Sequence, residues 1–243
     1  MTRNRPVPEL SAEDAAYIRG LVTYEDDQVI VFDKPSGLAV QGGGGIARSL
    51  DGLLAAFARS NGKRPRLVHR LDQGTSGVVI VARTQPAAAF LSEEFSSRRA
   101  KKTYLALVRG TLPQLDEGVI DTALVRVEEG GRPRMIAAKA GRKGAQTAAT
   151  GWKVLARRGD AALIEARPET GRMHQIRVHL SLAGMPILGD RLYGAGAESA
   201  PRLMLHAAKL EIAHPAGKLM TFEAPVPDDF AALAADLGLQ SGL

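Results

Sequence analysis

The sequence predicts an α+β fold, in which short strands and helices alternate without a regular order. Runs such as residues 78–82 have the β-branched, apolar character of buried strands, while other segments carry apolar residues at helical spacing. These elements do not follow the strict strand-helix-strand rhythm of a parallel, doubly wound sheet. A length of 243 residues with 45% hydrophobic residues is enough for one large domain or two closely packed halves.

The first eighty residues are predicted to contain two helices, a hairpin and further strands. Ser11 stands three residues before Asp14, which is a capping pattern that begins a helix. Four glycines at 42–45 could cradle a phosphate, but no Gly-Lys-Ser/Thr follows, so we interpret them as a flexible loop. The predicted elements are a helix at 11–21, hairpin strands at 22–24 and 29–33, a strand at 38–41, a helix at 49–60 and a buried strand at 78–82.

The rest of the chain continues the mixed pattern. Thr84 and Pro86 predict the start of a helix that buries Phe90, Leu91 and Phe95. The elements predicted after it are a strand at 102–108, a strand at 119–127, a loop at 130–144, a hairpin of 147–155 with 161–166, a helix at 173–183, a hairpin of 206–214 with 219–223 and a helix at 230–237.

Composition excludes several classes of function. The chain has no cysteine, so disulfides, thiolate zinc sites and thiol nucleophiles are ruled out. No apolar run reaches the length of a membrane span, and residues 1–9 lack the core of a signal peptide. We therefore expect a cytoplasmic protein without a membrane association.

Positive charge is concentrated in two segments that contain no acidic residue, 95–115 and 130–159. The net charge is +6. Such clustering suits a surface that follows RNA phosphates, because each neutralised phosphate releases counterions. The basic residues of the first segment are Arg98, Arg99, Lys101, Lys102 and Arg109.

One polar cluster directly precedes the buried strand at 78–82. It contains His69, Arg70 and Asp72, followed by Gly-Thr-Ser-Gly at 74–77. A turn at the end of a rigid strand is a common place for reactive side chains. Asp is also a preferred turn residue, so Asp72 could equally cap the turn.

A second cluster lies in the predicted helix at 173–183. His174 and His179 are five residues apart and do not share a helix face, so we expect no metal site. Arg177 stands between apolar residues, and a partly buried arginine needs a carboxylate partner. Asp72 is the candidate partner, and a purely structural ion pair is the alternative.

Two familiar catalytic signatures, those of protein kinases and of serine hydrolases, are incomplete in this sequence. The H-R-L-D at 69–72 lacks the lysine, D-F-G and A-P-E motifs of protein kinases, and Ser76 is not in the G-x-S-x-G of serine hydrolases. A metal-dependent nuclease would need a carboxylate cluster that the sequence does not show.

Several blocks together resemble the RluA-type RNA pseudouridine synthases. The resemblance extends over about residues 22–227, and its core is H-R-L-D-Q-G-T-S-G. The blocks are V-H-R-L-D-Q-G-T-S-G at 68–77, K-T-Y-L-A-L-V-R-G at 102–110, T-G-R-M-H-Q-I-R-V-H at 170–179, L-G-D-R-L-Y-G at 188–194 and R-L-M-L-H-A at 202–207.

The resemblance implies roles for individual residues. Asp72 would be the catalytic aspartate, Tyr104 would lie near the base and help remove the C5 proton, and Arg177 would keep Asp72 ionised and oriented. The residues expected to contact RNA or substrate are His69, Arg70, Thr75, Ser76, Ile176, Leu203, Arg98, Lys101 and Lys102.

The resemblance also implies an architecture and a partner. We expect a mixed, mainly antiparallel sheet in two halves, flanking helices and a central RNA-binding cleft. Residues 1–21 would form an extension or linker helix, and residues 22–243 the catalytic domain. No cofactor and no metal are expected, and the protein is expected to be a monomer.

The expected substrate is large-subunit ribosomal RNA, with transfer RNA or a non-catalytic RNA-binding role in ribosome assembly as alternatives. Relatives that act on ribosomal RNA often carry an N-terminal RNA-binding domain of the S-four type, whereas only 21 residues precede Val22. The choice of target is therefore open.

Overall fold

The computed structural model describes residues 10–42, 48–194 and 200–243. The strands are β1 (Val22–Glu25), β2 (Val29–Lys34), β3 (Arg66–Leu67), β4 (Ser76–Ala82), β5 (Lys101–Arg109), β6 (Glu117–Asp121), β7 (Leu124–Glu129), β8 (Arg132–Ala137), β9 (Ala149–Arg158), β10 (Ala161–Pro168), β11 (Leu205–Ala213) and β12 (Leu219–Glu223). The α-helices are α1 (Ala12–Gly20), α2 (Leu50–Leu53), α3 (Gln85–Ser96), α4 (Gln175–Leu182) and α5 (Asp228–Asp236).

Ten strands form one mixed sheet, which confirms the predicted α+β class. The main path is β1-β2-β4-β11-β5-β10-β9-β6, with β12 beside β11 and β3 beside β4. Only β4 and β11 pair in parallel among these described strands. Strands β7 and β8 form a separate antiparallel hairpin.

The parallel pairing joins the two halves of the sheet through a glycine. Gly77 stands opposite Ala207 in the register, with a φ of 110°. A β-carbon at this position would collide with the backbone of Ala207. A glycine is therefore needed where the strand after the Asp72 turn meets β11.

Apolar clusters fill both halves. One cluster surrounds β5 and β10 and is covered by α4 and α5, with Leu107, Leu163 and Phe230 fully buried. Two other clusters lie on β2 and β4. These cores stabilise the two halves of the sheet, and a cleft runs between the halves.

The amino-terminal helix α1 packs onto one of these clusters through Ile18, which is fully buried. The Ser11 hydroxyl accepts a hydrogen bond from the Asp14 N–H, as the capping pattern predicted. Residues 1–9 and 43–47, which include most of the four-glycine run, lie outside the described residues. A domain boundary at residue 21 stays a prediction.

Two predictions between β2 and β4 were wrong. Residues 38–41 form no strand, because the Leu38 carbonyl accepts from the Lys34 ammonium and Ala39 makes only an isolated bridge to Ser49. The helix predicted at 49–60 is shorter. It ends at Leu53 and continues as a 3₁₀ turn to Phe57, after which Ala58 is extended.

Three further predictions need correction. The single strand expected at 119–127 is divided into β6 and β7, and the loop expected at 130–144 contains β8. Pro133 and the arginines of β8 hid its strand pattern, because proline is depleted in strands and is found at sheet edges. Phe90 is 37% exposed rather than buried.

Across the three described ranges, none of the helices combines the length and the apolar character that crossing a membrane would require.

Candidate active site

A cleft of about 490 Å³ opens between the two halves of the sheet. Its walls come from the end of α3 and also from the turn before β4, the start of β5 and the segment leading into α4. The last three belong to blocks that carried the resemblance to a family. Asp72, Tyr104 and Arg177 all line this cleft.

Asp72 lies on a tight turn between β3 and β4. Its backbone carbonyl accepts from the Thr75 N–H at 3.1 Å, so the backbone closes the turn. The Asp72 side chain, which is 24% exposed, instead accepts from the Arg177 guanidinium at 3.1 Å. The sequence left open that the Asp72 side chain caps the turn, but here the backbone closes the turn and the side chain binds Arg177.

A buried lysine fixes the position of the Asp72 turn. The Lys34 ammonium donates to the carbonyls of Pro35 and Leu38, both at 2.9 Å, and to that of Gln73 at 3.3 Å. Burial lowers the pKa of Lys34 to about 7. The sequence analysis assigned no role to Lys34 and missed this contact between the two loops.

Two further hydrogen bonds hold the same loops together. The Gly37 N–H donates to the Gln73 carbonyl at 2.8 Å, and the Ser36 hydroxyl donates to the Gly74 carbonyl at 2.7 Å. The turn that presents Asp72 is therefore attached on one side to the K-P-S-G loop and on the other to β4.

Arg177 is shared between two carboxylates. It donates from Nε and Nη2 to the two oxygens of Asp190, at 2.7 and 2.8 Å, and from Nη1 to Asp72. Burial disfavours the charged guanidinium, but the hydrogen bonds and charges of Asp190 and Asp72 outweigh it and raise the pKa of Arg177. The predicted pairing with Asp72 is present, and Asp190 was missed.

Asp190 is a structural carboxylate with a 1% exposed side chain. It also accepts from the backbone N–H groups of Leu192 and Tyr193. Burial opposes its ionisation, yet the bonds from Arg177 and these amides lower the pKa of Asp190. Its only signal in the sequence was its place in the block L-G-D-R-L-Y-G.

His174 and Tyr193 complete the surroundings of Asp72. The His174 Nε2 lies 4.0 Å from the Asp72 Oδ1, and its Nδ1 is 2.9 Å from the Tyr193 hydroxyl. Burial lowers the pKa of His174. Sequence reasoning considered His174 only as a metal ligand and gave Tyr193 no role.

Tyr104 lies on β5 and faces the cleft. Burial, together with the nearby charge of Asp72, raises the pKa of Tyr104. The phenol is therefore protonated at neutral pH, and removal of a C5 proton by its phenolate is disfavoured. This environment is the opposite of the one that such a base requires.

The cleft collects most of the residues expected to contact substrate. His69, Arg70, Thr75, Arg98, Lys102 and Ile176 line it. Burial lowers the pKa of Lys102 to about 8, and this ammonium donates to the Thr170 carbonyl at 3.3 Å. Leu203 lines a second concavity of about 620 Å³, which also has Asp72 and Arg177 in its walls.

Three of the expected contact residues have positions that the sequence did not reveal. Ser76 is 2% exposed, and its hydroxyl is hydrogen-bonded to His206 Nδ1 at 3.0 Å inside the sheet. Lys101 is exposed at the start of β5, outside the lining of the cleft. His69 Nε2 accepts from the Ile80 N–H, and burial lowers its pKa to about 3, so this ring is neutral.

In residues 10–42, 48–194 and 200–243, no three histidine or acidic side chains are grouped so that they could hold a metal ion.

A partly exposed carboxylate held by an arginine in a cleft with basic walls is the arrangement expected of an enzyme that acts on a polyanionic substrate. Residues 28–182 match the family described as RNA pseudouridylate synthase. The chain therefore belongs to the RNA pseudouridylate synthase family, as the motif blocks predicted.

Individual relatives agree with this assignment. The chain is 39% identical over 215 residues to an uncharacterized RNA pseudouridine synthase of Zymomonas mobilis, covering 87% of this chain and 96% of that protein. It is 39% identical over 253 residues to ribosomal large subunit pseudouridine synthase D of Neisseria meningitidis, covering 98% of this chain but 64% of that protein. It is 40% identical over 209 residues to the dual-specificity RNA pseudouridine synthase RluA of Escherichia coli, covering 84% and 92%.

Solved structures show the same fold. The human RNA pseudouridylate synthase domain containing 4 superposes with a TM-score of 0.79 at 27% identity, covering 94% of this chain and 98% of that one. The human domain containing 1 protein gives 0.71 at 31% identity, covering 88% and 86%. The predicted α+β fold with a mixed, mainly antiparallel sheet is thus confirmed.

Proposed function

We propose that this protein converts specific uridines in RNA to pseudouridine, with Asp72 as the group that starts the reaction. The observation that carries the proposal is the position of the Asp72 carboxylate. It projects into the cleft beside Tyr104 and is held by an arginine that a second, buried carboxylate already anchors.

The reaction is an isomerisation whose atoms balance within the nucleotide. The N1–C1′ bond breaks, the uracil turns, C5 bonds to C1′, the proton on C5 departs and N1 gains a proton. No electrons are exchanged with a partner. Asp72, held by Arg177, either attacks C1′ or removes a ribose proton, and both routes require a carboxylate rather than an acid.

Arg177 has two tasks in this scheme. Its positive charge stabilises the Asp72 carboxylate, and its planar guanidinium fixes the direction in which that carboxylate points. Because Asp190 holds two of its nitrogens, little rearrangement is needed when substrate enters.

Tyr104 and Ile176 are proposed to hold the uracil. Both line the cleft, and an aromatic ring offers a face on which an extruded base can stack. We assign the Tyr104 hydroxyl the role of a hydrogen-bond donor, because its raised pKa disfavours the phenolate that removal of the C5 proton would need.

RNA binding is proposed for the basic rim of the cleft. Arg70, Arg98 and Lys102 line it and can contact phosphates on either side of an extruded uridine. Extruding a base costs a few kcal/mol, and phosphate contacts offset this cost. Thr75 contributes to the same wall, whereas a substrate contact by Ser76 would require the strand to open.

Large-subunit ribosomal RNA is the substrate that we propose. The Neisseria relative is named for the large ribosomal subunit and aligns with 98% of this chain. Transfer RNA is the alternative substrate, since the relative from Escherichia coli is named dual-specificity. The monomeric state and the cytoplasmic location stay predictions.

The test is a map of pseudouridine in cellular RNA from strains with and without the protein. We expect one or a few positions to lose pseudouridine when the gene is deleted and to regain it with the wild-type protein but not with Asp72→Asn. Full restoration by Asp72→Asn would overturn the catalytic assignment and favour a role in ribosome assembly.

A further inference from the structure

Tyr193 connects the β7–β8 hairpin to the surroundings of Asp72. Its hydroxyl oxygen accepts from the Met135 N–H of β8 at 2.9 Å and is hydrogen-bonded to His174 Nδ1 at 2.9 Å. The guanidinium carbons of Arg177 and Arg134 each lie 5.2 Å from the centre of its ring. One side chain therefore contacts the hairpin, the histidine and the arginine.

His174 has an unusual backbone conformation beside Asp72. Its φ of 53° and ψ of 19° lie in the left-handed region, which costs a non-glycine residue on the order of 1 kcal/mol. Such a conformation persists where the surroundings fix it. Here it places the imidazole between the Tyr193 hydroxyl and the Asp72 carboxylate.

The surroundings of the His174 ring favour one position for its proton. The Tyr193 oxygen accepts from Met135 and its O–H can donate to His174 Nδ1, while an N–H at Nε2, rather than a lone pair, suits the nearby Asp72 carboxylate. A neutral imidazole that accepts at Nδ1 carries its proton on Nε2. Nε2 is the nitrogen that faces Asp72 Oδ1.

We propose that Tyr193 is a positioning residue that holds His174 in its Nε2–H form toward Asp72 and links this arrangement to the β7–β8 hairpin. This inference rests on the proposed function of Asp72. The Nε2–H would present positive polarity, from 4.0 Å, to the Asp72 Oδ1, the carboxylate oxygen to which Arg177 does not donate.

The β7–β8 hairpin is a candidate surface for RNA docking. It carries basic side chains, Arg126 and Arg134 among them, and it packs against α4 through Met135 and Val178. RNA that docks on the hairpin and moves β8 would shift the Met135 N–H, and with it Tyr193. Docking at a distance from the uridine would then adjust the group that faces Asp72.

The first measurement is the tautomer of His174, read by nitrogen-15 NMR of the histidine rings without RNA. The chain has five histidines, and a His174→Gln sample identifies the signal. We expect wild-type His174 to carry its proton on Nε2, and Tyr193→Phe to produce a mixture of tautomers. A wild-type proton on Nδ1, or no change in Tyr193→Phe, would overturn the proposal.

The second measurement is the kinetics of pseudouridine formation. We expect Tyr193→Phe to lower kcat by about 10-fold or more with KM within about twofold, the loss typical of residues that orient an active group. Tyr24→Phe is the matched control, because it removes a phenol that donates to Asp26 at 2.9 Å, remote from the cleft. Its kcat should equal that of the wild type.

The possible outcomes distinguish a positioning role of Tyr193 from a purely structural role, and both from a failure of the proposed function. A lower melting temperature of Tyr193→Phe with unchanged kcat would assign Tyr193 a structural role only and overturn the proposal. A changed tautomer with unchanged kcat would overturn its link to catalysis. If wild-type protein forms no pseudouridine, the proposed function fails, while the NMR measurement still decides the tautomer.

Discussion

The two sides of Arg177 hold carboxylates in contrasting surroundings. On the interior side, Asp190 accepts from two guanidinium nitrogens and two backbone N–H groups, and its side chain is 1% exposed. On the cleft side, Asp72 accepts one hydrogen bond from Arg177, and its side chain is 24% exposed. The Asp72 Oδ1 is 4.0 Å from the nearest imidazole nitrogen, too far for a direct hydrogen bond.

This difference separates a structural carboxylate from the one that we propose reacts. Asp190 has its lone pairs occupied and is buried, so it cannot reach a substrate. Asp72 accepts one hydrogen bond from the same arginine, and its Oδ1 makes no direct hydrogen bond within the described residues. A single buried cation thus binds an interior carboxylate on one side and, on the other, orients the carboxylate that we propose as nucleophile or base.

Asp72→Asn should show the largest effect on activity. The amide keeps the shape of the side chain but cannot attack or accept a proton, so we expect kcat to fall by at least about 10⁴-fold. Release of tritium from RNA labelled at C5 of uridine measures this loss. Melting temperature and RNA affinity should stay close to wild type, and a large fall in either would mean that Asp72 is structural.

Asp190→Asn should show the largest effect on stability. It leaves the buried Arg177 without its principal partner, and breaking such a pair costs about 3 to 5 kcal/mol. For a chain of this size that corresponds to a melting temperature lower by roughly 6 to 20 °C. Calorimetry checks the prediction, and an unchanged melting temperature would contradict the contrast between the two carboxylates.

Arg177→Lys should have an intermediate effect on activity. Lysine keeps the positive charge but cannot donate in a planar fork to Asp190 and also reach Asp72. We expect kcat/KM to fall by roughly 10²-fold, as for loss of an oriented donor group. Initial rates on transcribed RNA provide the measurement. Activity equal to wild type would show that charge alone is sufficient at this position.

The smallest effect is a dependence of RNA affinity on pH that reports on Lys102. Burial lowers the pKa of Lys102 to about 8, so its ammonium is charged below this pH and neutral above it. As pH rises from 7 to 9, we expect the Kd for RNA to increase by about two- to fivefold, which reflects about 0.5 to 1 kcal/mol for one phosphate contact.

Lys102→Arg serves as the control for this titration, because arginine stays charged over the whole range. Its RNA affinity should change less between pH 7 and 9 than that of the wild type. Identical profiles for the two proteins would show that another group titrates.

Asp72 and Arg177 were easier to predict from the sequence than the residues that hold them in place. Asp72 and Arg177 were recognisable because ionisable residues stood next to buried or apolar segments. Asp190 was missed because a carboxylate in a loop gives no sign that it will be buried. Lys34 was missed for a similar reason, since its three carbonyl partners are backbone atoms that leave no mark in the sequence.

The fold shows the same limit. Helices α1 and α3 were predicted from caps at Ser11 and Thr84, and both hydroxyls accept the expected N–H bonds. Strand β8 was not predicted, because its pairing with β7 is a contact between segments and Pro133 obscures the local pattern. The two caps depend on residues three positions apart, whereas β8 depends on its pairing with another segment.

We propose that Asp72 reacts with the substrate, whereas Asp190 holds Arg177 in place. The most direct test of these two roles is a single-turnover measurement of pseudouridine by mass spectrometry, with Asp72→Asn and Asp190→Asn each in excess over RNA at a temperature where both are folded. We expect slow but complete conversion by Asp190→Asn and no product from Asp72→Asn. Conversion by Asp72→Asn at a rate equal to or above that of Asp190→Asn would contradict it.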